Sequence, residues 1–469
     1  MKKILRVLGY ILGVCIFLTC LAACGIFVYQ IYKLNVLTEE FLILGGIILL
    51  LLCLIGFFLS FNHKILGNLL LVLLIGFSGL GFNYFHKTEK VLDKVSIAKE
   101  EKQVSNTTFV LVKRVNYGGN LRKVGILSMG NQRLTQAAVE QFKDWYEWKP
   151  FDSFYDLGDS LLDGSIDAMM LDQISWETFK ELYEPAQDQY HVTADFNVVL
   201  EEKLDPKPVD VTQEPFTVLI SGKDYGDLSV SYSHSDVNIL VTVNPQTHDI
   251  LMLGIPRDFY IPQPCQDGQK DKLTHTGLFG AKGTADAISE FFDIPINYYV
   301  EVNFNSVVKI VDALGGITVD SPNAFSIFGH DFVVGENHLN GEEALAFTRE
   351  RYSFEDGDNE RSRNQMRVLE AVIDRAMSPS IIKNYSKLLD SLSDSFKTNM
   401  SVKEMTSFIK SQMKHLKDWK IEQIQVSGNG LEAVSPALGF KVYMMEPDMA
   451  SVEAAKTQIE KALTVEELS

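Results

Sequence analysis

Apolar residues crowd the first 86 positions and then thin into short periodic groups. One apolar stretch runs from Ile4 to Tyr32, with Arg6 near its start and Gln30 near its end. A second covers Phe41 to Phe61, and a third Ile65 to Tyr84. Each supplies the roughly 20 apolar residues that a helical membrane span needs. Lys2, Lys3 and Arg6 precede the first span, and His63-Lys64 fills the tight turn between the second and third. The positive-inside rule therefore expects the N-terminus and that turn in the cytoplasm. With three spans, everything after about residue 87 falls outside. Leu21-Ala22-Ala23-Cys24-Gly25 imitates a lipidation signal, but apolar residues continue through Tyr29, so these small residues read as the lining of the first span.

Beyond the spans the pattern changes twice. Residues 87–106 are charged and amphipathic and read as a stalk. Across 107–200, short apolar runs at Thr108–Lys113, Lys123–Ser128 and Ser165–Leu171 alternate with helical spacing at Leu134–Trp145 and from Ser175. This predicts a small α/β accessory domain. A polar, proline-bearing linker spans 201–215. Then comes a buried-looking strand, Phe216–Ser221, and a strand pair, Val237–Val243 and Ile250–Ile255, across the turn Asn244-Pro245-Gln246-Thr247. A helix from Gly283 to Phe292, a strand Tyr298–Val302, a helix Asn305–Leu314 stopped by Gly315-Gly316, and a strand Ile317–Asp320 follow. Arg363–Met377 and Lys403–Leu416 have strong amphipathic spacing. The fold class is α/β: three transmembrane helices (1–86), the accessory domain, and a layered α/β/α domain over 216–425 with its motifs in 216–380, followed by a C-terminal segment, 426–469.

Composition narrows the function. The formal net charge is −18 over 469 residues, which argues against nucleic acid as a partner, since that needs a clustered basic footprint. Cys15, Cys20, Cys24 and Cys53 lie in the apolar runs, leaving Cys265 alone in the soluble part, so no disulfide framework forms there. There is no Gly-Lys-Ser/Thr phosphate loop, Ser221-Gly222 is not a nucleophile elbow, and Asp356-Gly357-Asp358-Asn359-Glu360 lacks the ligand order of a calcium loop.

What remains is an ordered set of arginines and acids. Asp224 and Asp236 flank predicted core strands and would project from one end of a sheet, as a divalent-cation pair or as a turn cap and an arginine's counter-ion. Arg257-Asp258 ends a strand, as a phosphate clamp or an ion pair pinning a loop. Arg349 and Arg351 are two apart and would share a side of an extended segment, where an anion between them relieves repulsion. Arg361 and Gln365, four apart at a helix start, share a face near outward N–H groups. Arg363 and Arg367 read as the solvent-facing pair, and His275 as a packed loop residue. Several guanidiniums plus paired carboxylates suit a metal-bound pyrophosphate.

In order, these pieces are Ser221-Gly222-x-Asp224, Ser235-Asp236, Ile255-Pro256-Arg257-Asp258, Val311-Asp312-Ala313-Leu314-Gly315-Gly316 and Leu339-Asn340-Gly341-Glu342-x-Ala344-Leu345-Ala346-Phe347-x-Arg349-x-Arg351, then Asp358-x-x-Arg361 and Gln365. The set resembles the LytR–CpsA–Psr family over about residues 215–380, and with three spans and an accessory module its streptococcal capsule-type members. One departure is His234, where the family usually has arginine before the Ser-Asp pair. The resemblance implies a Gram-positive membrane enzyme that moves capsular or other wall polysaccharide from undecaprenyl pyrophosphate to peptidoglycan through a phosphodiester. It implies Mg²⁺ (or Mn²⁺) on Asp224 and Asp236, and a pyrophosphate clamp of Arg257, Arg349 and Arg351. It further places Arg361, Gln365 and His234 on the substrate, Asp258 at the acceptor hydroxyl or holding Arg257, and other capsule-synthesis proteins as partners. The alternatives are a regulator of attenuator type and a non-catalytic binder of lipid-linked glycan.

Overall fold

In the computed structural model the described residues are all but 1, 99–101, 129–131, 184–186, 204–207, 224–232, 267, 356, 378–390, 392–394, 415–418, 437, 439 and 465–469. The apolar runs form three helices, Lys2–Leu34, Glu39–Asn62 and Lys64–Val95, each long and apolar enough to cross a membrane. Cys24 is buried among them, on an uninterrupted helix. The third helix runs nine residues past position 86, so the stalk is not a separate element. Lys102 already begins a strand.

That third helix ends against the domain it carries. Ile97 N–H donates to Thr398 O at 2.9 Å, and Ser96 Oγ donates to Met400 O at 2.7 Å. Lys410 Nζ also reaches Asn35 Oδ1, in the turn between the first two helices, at 2.9 Å.

The accessory domain is a five-stranded mixed sheet in the order 147–151, 123–127, 168–172, 102–114, 190–203. Its three helices, Gln132–Gln141, Phe154–Asp163 and Gln173–Leu182, supply apolar residues to two buried clusters on the sheet, one around Leu157, Phe179 and Met169 and one around Phe109 and Leu134.

The larger domain is built on a six-stranded sheet in the order 396–398, 298–303, 216–223, 235–244, 249–254, 420–425. The three middle strands form an antiparallel meander. Tyr298–Asn303 and Lys420–Gln425 add in parallel on either side. The register Lys223↔Ser235 and Lys223↔Asn303 brings the end of one strand, the start of the next and the end of a third to the same edge. Gly254 ends its strand opposite Ile239, so Arg257 emerges beyond that same edge. Ligands of open α/β sheets sit beyond the carboxyl ends of strands.

Helices cover both faces. Gly280–Phe292 and Met449–Leu463 pack through Ile288, Phe292, Val452 and Ile459 onto Leu219, Leu240 and Leu253. Asp358–Met377 crosses the other face so closely that an added Cβ on Gly254 would come 2.8 Å from Ser362 Oγ. Residues beyond 425 thus complete the core rather than form an appendage: Val426, Met445 and Val452 belong to its largest cluster. Asn303 caps the helix Phe304–Leu314 by accepting from Ser306 N–H, and Gly315 ends it at φ 80°, a left-handed position open to glycine.

Candidate active site

At the sheet edge, charge is concentrated and partly desolvated. Arg257 Nη1 donates to Asp236 Oδ1 at 2.6 Å, and Thr274 Oγ1 donates to the same oxygen at 3.2 Å. Arg361 Nη2 lies 2.5 Å from Asp358 Oδ1, one helical turn away. Burial opposes the charge of Arg257, but Asp236, with Asp258 and Asp358 behind it, more than offsets this and raises its pKa. Burial lowers the pKa of Arg361; Asp358 opposes that shift, and the nearby Arg257 and Arg351 reinforce it. Guanidiniums held within reach of one another while losing water form a prepared anion site.

Buried polar atoms support this. Arg257 Nε and His234 Nε2 have no hydrogen-bond partner among the described residues. Leaving such groups unpaired costs about 1–3 kcal/mol each, a cost that a bound phosphate would relieve.

His234 stands beside a buried polar knot. Its ring lies 5.6 Å from that of His275, whose Nδ1 is 3.0 Å from Asp271 Oδ1. Ser435 Oγ donates to Asp271 Oδ2 at 3.0 Å. Burial, then His275 and Arg257, depress the His234 pKa to about 4, although Asp236 pulls the other way. A histidine with a depressed folded pKa favours folding only while neutral. Stability is therefore expected to fall as pH drops from the ordinary value of about 6.5 through about 4. Thermal melts of the detergent-solubilised chain should show this slope flattened in His234→Gln; an unchanged slope would contradict it.

The loop carrying His234 depends on Gly277. A Cβ there would come 2.1 Å from Ser233 O and 2.6 Å from Ser235 N, both backbone atoms. Gly277→Ala is expected to cost roughly 1–3 kcal/mol, as overpacking does, and to displace Asp236. A melting temperature and turnover equal to wild type would count against that.

The structure gathers Asp236, Asp258, Asp358 and Arg361 around Arg257, with His234 on the side of Asp236 and Arg257, and Arg351 on the side of Arg361. Asp224 lies outside the described residues. Asp258 does not hold Arg257 directly: its carboxylate pairs with Lys272 at 2.9 Å. Arg349 and Arg351 do not share an extended segment, because helix Gly341–Arg349 persists to Arg349 itself. Exposed Arg349 stacks over Phe304 and Phe328 at 4.8 and 5.6 Å, buried Glu350 accepts from Ser353 N–H, and Arg351 leans on Tyr352. Gln365 is half-buried, one turn along from Arg361. Arg363 and Arg367 are not solvent-facing spares, since both pair with buried Glu360. His275 is buried, as the loop reading expects. Thr274, Lys272 and Tyr443 are site neighbours that carried no signal in the sequence.

Residues 178–461 match the profile of the LytR_cpsA_psr family, which is more than half of the chain. The chain belongs to the LytR–CpsA–Psr family. Its relatives include a polyisoprenyl-teichoic acid–peptidoglycan teichoic acid transferase TagU from Enterococcus faecalis, 36% identical over 225 residues (48% of this chain, 74% of that protein). The Bacillus subtilis TagU is 37% identical over 223 residues, 47% of this chain and 72% of that protein. Among solved structures, Bacillus subtilis TagU aligns at TM-score 0.44 and 31% identity over 55% of this chain and 100% of that one. TagT bound to LIIa-WTA aligns at TM-score 0.44 and 29% identity over 55% and 94%. Membership matches the motif order read from the sequence, and the family region takes in the segment beyond 425 that completes the core.

Proposed function

We propose that this chain is a membrane-anchored phosphotransferase that takes a capsular or other wall polysaccharide from undecaprenyl pyrophosphate and attaches it to peptidoglycan. The observation that carries the reading is the pair of partly desolvated guanidiniums, Arg257 and Arg361, gathered around Asp236 beyond the strand ends, with Arg351 next to Arg361. The names of the relatives, transferases of polyisoprenyl-linked teichoic acid to peptidoglycan, support it. So does the seat of the domain on its third apolar helix, which keeps the site near a lipid-borne substrate. On this reading the helices cross the membrane, with both later domains on the outer side.

The donor pyrophosphate sits against Arg257, Arg351 and Arg361, with Arg349 and Gln365 on its flanking groups. His234, neutral at ordinary pH, offers a ring nitrogen where the family usually has a fixed charge. An acceptor hydroxyl oxygen attacks the phosphorus that bears the glycan. A new P–O bond forms, the bond to the bridging oxygen breaks, and undecaprenyl phosphate leaves with that oxygen. The hydroxyl proton passes to Asp258 or to water. Fixed positive groups that meet the charge spreading over the phosphoryl oxygens account for most of the acceleration.

Asp236 also offers a hard cation a carboxylate oxygen: its described bonds, from Arg257 Nη1 and Thr274 Oγ1, both fall on Oδ1. With Asp224 it would hold Mg²⁺ or Mn²⁺, which neutralises charge on the pyrophosphate. Removing divalent ions with chelator is expected to lower donor turnover by the purified full-length chain at least about 100-fold, the scale of several kcal/mol. Added Mg²⁺ should restore it. Full turnover in chelator would overturn the metal assignment.

A further inference from the structure

The C-terminal hairpin, Gly428–Val434 with Lys441–Pro447, brings to the rim of the cluster an aromatic ring to which the donor chemistry gives no task. Tyr443 is 50% exposed. Its strand is tied to the site, for Met445 N–H donates to Asp258 O at 2.7 Å and Phe259 bridges to Met445. Its ring lies against Gly430, where an added Cβ would come 2.8 Å from Cε2 and 3.1 Å from the hydroxyl. Lys272 Nζ stands 5.9 Å from the ring centroid and 2.9 Å from Asp258 Oδ1.

Ring, ammonium and carboxylate thus stand side by side next to the guanidiniums, with a different electrical character. Lys272 is balanced by Asp258, so this side does not call for a polyanion. An exposed aromatic surface beside paired hydrogen-bonding groups suits an uncharged sugar, whose C–H face covers the ring while its hydroxyls meet the carboxylate and ammonium. Burial, together with Asp258 and Asp358, keeps the phenol protonated and so able to donate.

We propose that Tyr443 and the Lys272–Asp258 pair form the acceptor subsite, in which an uncharged sugar of the acceptor glycan is held with its hydroxyl turned toward the donor phosphorus. This rests on the transferase reading above. Tyr443 then governs the partition of the donor between acceptor and water, because orientation of the attacking hydroxyl is what it supplies.

The test uses the full-length chain in lipid nanodiscs, an undecaprenyl-pyrophosphate-linked oligosaccharide and uncrosslinked peptidoglycan strands. Transferred and hydrolysed products are counted separately. Tyr443→Ala is expected to raise the acceptor KM and lower the transfer-to-hydrolysis ratio roughly tenfold, the scale of one aromatic contact. Donor consumption without acceptor should stay at wild-type level. Tyr443→Trp should keep the ratio within about twofold, and Gly430→Val, which displaces the ring, should copy Tyr443→Ala. A wild-type ratio and acceptor KM in Tyr443→Ala would overturn the subsite, as would loss of donor consumption in that variant, which would move the ring to the donor side. A wild-type chain that consumes no donor, under conditions where a family relative does, would instead overturn the transferase reading and the subsite with it.

Discussion

Replacing Arg257 with alanine is expected to lower turnover of the lipid-pyrophosphate donor by about 10²–10³-fold, the usual loss when one preorganised charge-stabilising donor is removed. The argument begins with the pair it makes. Arg257 Nη1 is 2.6 Å from Asp236 Oδ1, and its Nε lacks a partner among the described residues. One edge of the fork holds the carboxylate while another nitrogen remains to be satisfied. Truncation removes the donor to phosphate and leaves Asp236, only 11% exposed, with Thr274 alone among its described partners. Lysine at this position retains charge but loses the planar fork, so Arg257→Lys should recover only part of the loss. Initial rates of donor consumption, at matched protein levels and with an unchanged melting temperature, check it. A rate within about threefold of wild type would remove Arg257 from the mechanism.

Lys223→Met is expected to give the largest loss of stability. Lys223 Nζ lies 2.5 Å from Glu301 Oε1, with both side chains about 95% buried (4% and 5% exposed). Lys223 ends its strand and Glu301 lies two residues short of the end of the neighbouring parallel strand, close to where the chain leaves the sheet for the site. Burial lowers the Lys223 pKa, and Glu301 opposes that shift, so the pair survives by mutual compensation. Removing one member strands the other charge, which typically costs about 3–5 kcal/mol and here should lower the melting temperature on the order of 10 °C. Replacing both, as Lys223→Met with Glu301→Leu, should restore most of it, because no uncompensated charge remains. A single variant melting within about 2 °C of wild type would show that the pair is dispensable.

Both predictions concern residues that the sequence displayed unequally. Arg257 was legible because it ends a strand whose apolar run is plain, Leu251 to Ile255, and because its motif sits in a fixed order with Ser235-Asp236 and Arg361. The sheet could be read for the same reason. Its three central strands are buried on both faces and show as apolar runs, and the helix Phe304–Leu314 announces its end with two glycines. What stayed hidden was contact between distant segments. Ser435 meets Asp271 across 164 positions, and Tyr443 approaches Asp258 from the last hairpin. Neither has local periodicity or a motif, since nothing in a polar loop reveals what will fold against it. Asp258 illustrates the limit: next to Arg257 in sequence, its carboxylate turns instead to Lys272, fourteen residues on. Arg349 shows another, because the helix that carries it runs to its own position and parts it from Arg351.

The membrane-proximal placement was legible in part. Hydropathy identified three apolar helices, but not that the third extends to Val95 and joins the edge strand Phe396–Thr398 through Ile97. That junction combines two hydrogen bonds at the margin of the sheet with the burial of Ile97 in the main apolar cluster, and a single apolar residue leaves no pattern.

The measurement that bears most directly on the central claim is the amount of wall-linked polysaccharide in cells whose other family members are deleted. Such cells would express either the wild-type chain or Arg257→Ala at equal levels. The account predicts polymer joined to peptidoglycan with the wild-type chain, and polymer shed into the medium with Arg257→Ala. Equal attachment in both would contradict a phosphotransferase working through this cluster.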